Sequence, residues 1–267
     1  MSDHGHTPNP APKEISPAGD HAAPTTLRDF TPARVGLKRA GSSLATSELL
    51  EMSLAFAEAR DAVHAELSLS ALLPLLPSRG LDPLPLHSAA RDRAEYLRRP
   101  DLGRQLSAAS QTIIDARSSP ADPGRLVIAI ADGLSAIAVE RHALPLLDAL
   151  LPLLRSDDAW QLGPVAVVEQ ARVAIGDEIG ERLHAGLLLL LIGERPGLSS
   201  PDSLGAYITW NPRLGRTDAE RNCISNIRPE GLSYSLAAGR IFYYLREARR
   251  RQLTGIALKD DLPLLEG

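Results

Sequence analysis

A single cysteine, Cys223, stands in the whole chain, and one thiol cannot close an internal disulfide. A chain without disulfides is expected in a reducing compartment such as the cytoplasm. Lysine is nearly as scarce: Lys13, Lys38 and Lys259 are the only ones, and every other base is an arginine. That bias reads first as codon composition, although planar guanidiniums also suit interfaces and phosphates. Aromatics make up 4% of the residues, so the core must be built from Leu, Ala, Val and Ile. No apolar run approaches the roughly 20 residues that span a bilayer. The first residues, "MSDHGHTPNPAPKEISPAG", are polar and Pro-rich rather than a secretory leader. The net charge is -4 with acids and bases interleaved, which argues against a nucleic-acid surface. A soluble, cytoplasmic protein is expected.

Familiar chemical motifs are missing too. No G-x-G-x-x-G follows a strand pattern and no G-x-x-x-x-G-K-[ST] occurs, which excludes the dinucleotide and P-loop fingerprints. There is no H-E-x-x-H or paired C-x-x-C for zinc, and no G-x-S-x-G nucleophile elbow.

What is present is ordinary for a globular chain: 267 residues, 44% hydrophobic and 23% charged, enough for one large or two modest domains. Residues 1 to about 30 lack periodicity and read as a disordered tail. His4, His6 and His21 lie there without partners at ligand spacing, so no metal site is expected. A helix is predicted from near Thr46, with Glu48 and Glu51 in its first turn. Leu49, Met52, Phe56, Ala59 and Val63 make an apolar stripe along it, either core or the seat of a partner subunit. "SALLPLLPSRGLDPLPL" reads as a Pro-rich interruption, and two further helices split at Pro100 follow. Residues 31–120 are thus expected to be helical.

The pattern then changes. "RLVIAIADG" reads as a buried strand, Leu126 to Ile130, and "PVAVVEQ", "GLLLLLIGERPG" and "GAYITWNP" as three more. "LSAIAVERHALPLLDALLPLL" and "IGDEIGERLHA" read as helices between them. Such alternation predicts α/β architecture: a helical N-terminal region, then a doubly wound, mostly parallel, Rossmann-like sheet covered on both faces. The helix "SYSLAAGRIFYYLREARRRQLTG" closes the chain, its basic last turn complementing the helix dipole.

Open α/β sheets bind ligands beyond the carboxyl ends of their strands. The residues there are Asp132 and Gly133, the turn around "EQARV", and "GERPG" from Gly193 to Gly197; the loop "TDAERNCISNIRPEG" carries Cys223. As a nucleophile Cys223 would need an oriented histidine base, with His184, His142 and Glu194 as the paper candidates. A packed small hydrophobe is the simpler reading. Glu194 has plain alternatives, pairing with Arg195 or capping a helix from Ser200 or Asp202. Val173 on its own reads as core. The residues by themselves describe a ligand-binding α/β domain with no self-sufficient catalytic set.

The segments "VIAIADGLSA", "ARVAIGDEIGE", "LLIGERPGLSSPDSLGAYITWNP" and "TDAERNCISNIRPEGLSY" together resemble the light subunit of ethanolamine ammonia-lyase. Upstream, "TPARVGLKRAG", "EARDAVH" and "YLRRPDLGRQL" fall in that family's order, so the similarity runs from about Thr31 to Lys259. The resemblance implies the smaller chain of a higher-order hetero-oligomer whose large subunit is a TIM barrel that binds ethanolamine. Adenosylcobalamin would lie between the chains, its lower face and nucleotide tail received by an α/β cobalamin-binding domain over residues 121–267. Homolysis of the cofactor's Co–C bond would start a radical reaction turning ethanolamine into acetaldehyde and ammonia. The family's cobalamin contacts fall here on Val173, Glu194 and Cys223, with no catalytic or metal-ligating residue in this chain. No D-x-H-x-x-G occurs, so the cofactor's own benzimidazole is expected to remain the lower ligand. The resemblance is compatible with the cytoplasm or the interior of a bacterial microcompartment. Two alternatives stand beside it: a Cys223-dependent amidohydrolase, and a non-catalytic scaffold or microcompartment adaptor working through the tail.

Overall fold

A computed structural model of the chain describes residues 34–259 except 38, 119 and 121. The expected tail, with its histidines, and the last residues lie outside the described part. Two compact units divide between Ser53 and Leu54. The first holds a minimal hairpin, β1 (Arg39–Ala40) with β2 (Ser43–Leu44), and the start of helix α1 (Thr46–His64).

The second unit carries a six-stranded sheet. Its strands are β3 (Pro83–His87), β4 (Asp122–Ala131), β5 (Gln161–Glu169), β6 (Ala185–Gly193), β7 (Leu204–Trp210) and β8 (Asn222–Ile227). They lie in the order β3-β5-β4-β6-β7-β8. The first four in that order are mutually parallel, while β7 and β8 run antiparallel at one edge. The helices are α2 (Leu69–Leu72), α3 (Arg93–Arg98), α4 (Ala108–Asp115), α5 (Ala136–Arg155), α6 (Ile175–Arg182) and α7 (Tyr234–Arg251).

Alternation of side chains in the strands explains how both faces are buried. Leu126, Ile128, Ile130, Leu187, Leu189 and Leu191 point to one face and pack under α5 and α7. Val127, Ala129, Ala131, Leu188, Leu190 and Ile192 point to the other, against Ile114, Ile175 and Ile179 of α4 and α6. Here Gly176 matters, because a Cβ on it would run into Leu188; α6 therefore lies close on β6. The expected doubly wound α/β sheet is present. Crossovers through α5 and α6 place β5 and β6 on opposite sides of β4, so the connections diverge at the carboxyl end of β4.

Two expectations require correction, and one open reading is narrowed. The Pro-rich interruption contains β3, a strand whose prolines Pro83 and Pro85 are tolerated because it sits at the sheet edge. The loop carrying Cys223 is likewise a strand, β8, at the opposite edge. Of the two readings of the α1 stripe, packed core holds only in part: Met52, Ala59 and Val63 are half-buried, while Leu49 and Phe56 stay 50% and 56% exposed and the helix buries Glu48, Ala55 and Ala62 instead. Small alanines allow the close approach, and the large aliphatics are turned outward. No helix among the described residues is long and apolar enough to cross a membrane.

Candidate functional site at the strand carboxyl ends

β4, β5 and β6 end side by side in Asp132-Gly133, Gln170 to Val173, and Gly193-Glu194. Gly133, at φ 57°, and Gly193 exist for one reason. The carbonyl of Gly193 accepts from Leu134 N–H at 3.0 Å, and a Cβ on either glycine would collide with the other loop's backbone. The first and third strand ends are thereby joined.

Glu194 continues β6 beyond the sheet and lies over Gly205, whose missing side chain leaves room for it; a Cβ there would sit 3.1 Å from Glu194 Oε1. Its carboxylate accepts from Ser225 Oγ–H and from the Asn226 N–H at 3.1 Å, and its own N–H donates to the Ser203 carbonyl at 3.0 Å. Neither the pairing with Arg195 nor the helix cap is found. Instead, the carboxylate ties the end of β6 to β8 across β7.

Cys223 lies opposite Tyr207 in the β7–β8 register, and Tyr207 lies opposite Leu190. All three point to the face away from α5 and α7, because Ala206, Ile208 and Ile224 fill the other. The apolar cluster on this face draws nothing from β8, and Val173 and Tyr207 pack half-buried at its margin. Cys223 is exposed, yet packing around its sulfur raises the thiol's pKa, partly offset by a hydrogen bond with Tyr207. Burial likewise pushes the Tyr207 phenol up, with Cys223 adding to the rise. Glu194 and Cys223 thus lie on one open stretch of sheet face with Tyr207 and Ser225, while Val173 sits in the loop after β5 against the apolar cluster. Sequence reading passed over Tyr207 and Ser225, since only the strand register brings them in.

The buried core of the site is ionic. Asp132, fully buried, accepts the Gln170 and Ala171 N–H groups at 2.8 and 2.9 Å and lies 3.2 Å from Arg93 Nη1. Burial outweighs these partners and raises its pKa to about 6. Arg93 and Tyr96, on α3, carried no sequence signal beyond the helix cap Asp92 that places them.

The histidines proposed as a base for Cys223 are elsewhere. His142 belongs to α5 on the opposite face, where Nδ1 lies 2.8 Å from the Tyr234 hydroxyl. His184 precedes β6 and lines a 560 Å³ groove with Glu181, Trp210 and Gln252 at the amino end of the strands. Cys223 sits level with Leu190, about 20 Å further along at the rise of a strand. With a raised pKa and neither histidine in reach, the thiol lacks what a nucleophile requires. Among the described residues no group of three or more His, Cys, Asp or Glu is placed to hold a metal ion.

Fold and candidate site together define an α/β protein whose β4, β5 and β6 end side by side at the carboxyl edge of a mostly parallel sheet. Beside these strand ends, the face of β7 and β8 that carries Tyr207 and Cys223 is left open among the described residues. The family model "Ethanolamine ammonia-lyase light chain (EutC)" matches residues 21–259, so the chain belongs to that family. Relatives are similar over most of their length. An "Ethanolamine ammonia-lyase small subunit" of Azotobacter vinelandii is 57% identical over 236 residues, covering 88% of this chain and 87% of that protein. One of Ralstonia nicotianae is 54% identical over 244 residues, covering 90% of each. One of Pseudomonas fluorescens is 56% identical over 238 residues, covering 88% of this chain and 86% of its own length. The family match begins earlier than Thr31, at residue 21.

Proposed function

We propose that this chain is the small subunit of an adenosylcobalamin-dependent ethanolamine ammonia-lyase. Its 121–267 segment receives the lower face and nucleotide tail of the cofactor and holds it against a large TIM-barrel subunit in a higher-order hetero-oligomer. The observation that supports this is the open sheet face on which Glu194, Tyr207 and Cys223 lie together, with Val173 in the loop after β5 against the apolar cluster that Tyr207 also touches. A corrin has a broad apolar face and a rim of amides. Val173, the Tyr207 ring and the Cys223 side chain offer an apolar floor, and Glu194 a polar edge. Each Glu194 oxygen accepts one hydrogen bond within the chain, and an ionised carboxylate has about four acceptor positions, so two remain for amide N–H donors. The residues fit the group.

When bound, adenosylcobalamin supplies the radical chemistry that acts on ethanolamine, and this explains why the chain needs no acid, base or nucleophile. What the chain contributes is position. β4, β5 and β6 present three loops at one level, Glu194 orients the rim, and the apolar floor excludes water from the cofactor's underside.

Mixing the chain with a family large subunit and adenosylcobalamin should yield acetaldehyde and ammonia from ethanolamine, and omission of any component should stop the reaction. No acetaldehyde from folded, mixed subunits would overturn the reading.

A further inference from the structure

Gln170 closes β5 at φ 56°. A residue with a side chain enters this left-handed region at a cost and stays only where its surroundings over-determine it. Asp132 does this by accepting the N–H of Gln170 on Oδ2 and of Ala171 on Oδ1, at 2.8 and 2.9 Å. Arg93 then fixes the carboxylate. Its Nη1 donates to Asp132 Oδ2 at 3.2 Å and to the Gly133 carbonyl at 2.9 Å, and its Nε donates to the Val63 carbonyl at 2.7 Å. One turn on, the Tyr96 hydroxyl lies 2.8 Å from the carbonyl oxygens of both Gly133 and Ala171, with its one proton shared between them. The Tyr96 ring is held between two guanidiniums, Arg93 at 4.8 Å and Arg172 at 4.3 Å from its centroid. Arg172 N–H donates to the Gly103 carbonyl at 2.7 Å. Every residue from Gln170 to Arg172 is therefore pinned, and the next is Val173.

A glycine at 170 would take this φ without strain. The chain instead places a charged pair at 5% and 0% side-chain exposure, an arrangement whose desolvation makes it a poor source of stability. What the pair does supply is a single geometry for the loop that leads into Val173. We propose that Asp132, braced by Arg93, is a positioning residue for the cofactor: by fixing Gln170 and Ala171 it sets where Val173 meets the cobalamin. This rests on the cobalamin reading above.

The test uses the holoenzyme, reconstituted from the full chain and its large subunit. For Asp132→Asn the Kd for adenosylcobalamin, read by equilibrium dialysis of the assembled subunits, should rise about tenfold together with its KM, with kcat changing less, the scale expected when a supporting contact shifts a binding group. Arg93→Lys keeps the charge but loses the fork, and should raise that KM about threefold. Combining Asp132→Asn with Val173→Ala should raise KM by less than the product of the single effects, because both act through one loop. A full product, or a change confined to melting temperature, would overturn the positioning role. Should Asp132→Asn fail to assemble, a wild-type KM in Arg93→Lys overturns it equally. If Val173→Ala and Glu194→Ala both leave the cofactor KM at the wild-type value, the cobalamin reading itself falls and takes this proposal with it.

Discussion

Glu194, just past the end of β6, accepts a hydrogen bond from Ser225 in β8, a strand two places away in the sheet. The carboxylate reaches over Gly205 of β7 to do so. A residue read as a ligand contact is thus also a structural tie, and the two roles make separable demands.

Glu194→Gln keeps the shape and one good acceptor, whereas Glu194→Ala loses both bonds to β8. Alanine should weaken cobalamin retention by about tenfold or more and destabilise the chain by only about 0.5–1.5 kcal/mol, because the Ser225 and Asn226 donors it releases are exposed and can turn to water. Glutamine should retain most of the stability while still weakening retention. Equilibrium dialysis with adenosylcobalamin, alongside urea unfolding, measures both. Equal cofactor affinity in all three proteins would remove Glu194 from the site.

Arg221 and Asp177 form a bidentate pair at 3.0 and 2.8 Å, with side-chain exposures of 2% and 4%. The pair ties α6 to the start of β8, two residues before Cys223. Arg221→Ala strands a buried carboxylate and should cost about 3–5 kcal/mol, whereas replacing both partners by apolar residues of similar volume should cost far less. Urea midpoints of the single and double variants decide it; equal losses would show that packing, not charge, dominates there.

Burial raises both Asp132 and Asp177 to about 6. Free Asp titrates near about 3.9, so between those values the folded chain holds protons that the unfolded chain has released, and the contribution of both groups falls as pH rises through that window. Glu220 is held at about 2, chiefly by the Thr217 backbone N–H with Arg216 adding to it, and Glu247 at about 2 by Arg250 first. Their contribution is present above the free Glu value of about 4.3 and is lost as pH falls toward 2. Urea midpoints of the full chain should rise from about pH 7 to about pH 5 and fall again below about pH 4. A midpoint that falls steadily from neutral pH would show that Arg93 and Arg221 outweigh the effect of burial.

On α1, Phe56 is 56% exposed, and a large aromatic left on an open helix face suits association with another chain. Phe56→Asp should weaken assembly with the large subunit by about tenfold or more if that face is covered in the complex, while leaving the chain folded, because the side chain is not core. Sedimentation of mixed subunits provides the readout, and unchanged assembly would free this face for some other use.

Residue pattern alone determined the α/β class, the buried β4, β5 and β6, and the strand ends as the place to look. Long aliphatic runs such as Leu187 to Ile192 have one stable destination, a strand covered on both faces, and the abrupt Gly193-Glu194 marks where the cover ends. Local sequence could not disclose β3 or β8. Prolines hide the first and polar residues the second, and both are strands only because a neighbour supplies the hydrogen bonds. The same holds for the site. Val173, Glu194 and Cys223 came as candidates from family resemblance, and the β6–β7–β8 register is what sets Cys223 beside Tyr207 on one sheet face. Tyr207, Ser225 and the Arg93–Asp132 brace entered only with the tertiary structure, since they act through contacts across 39 residues for Arg93 and Asp132 and 31 for Ser225 and Glu194. Pattern records which residues must leave water; it does not record which distant residue they meet, and in this chain the candidate site is made of such meetings.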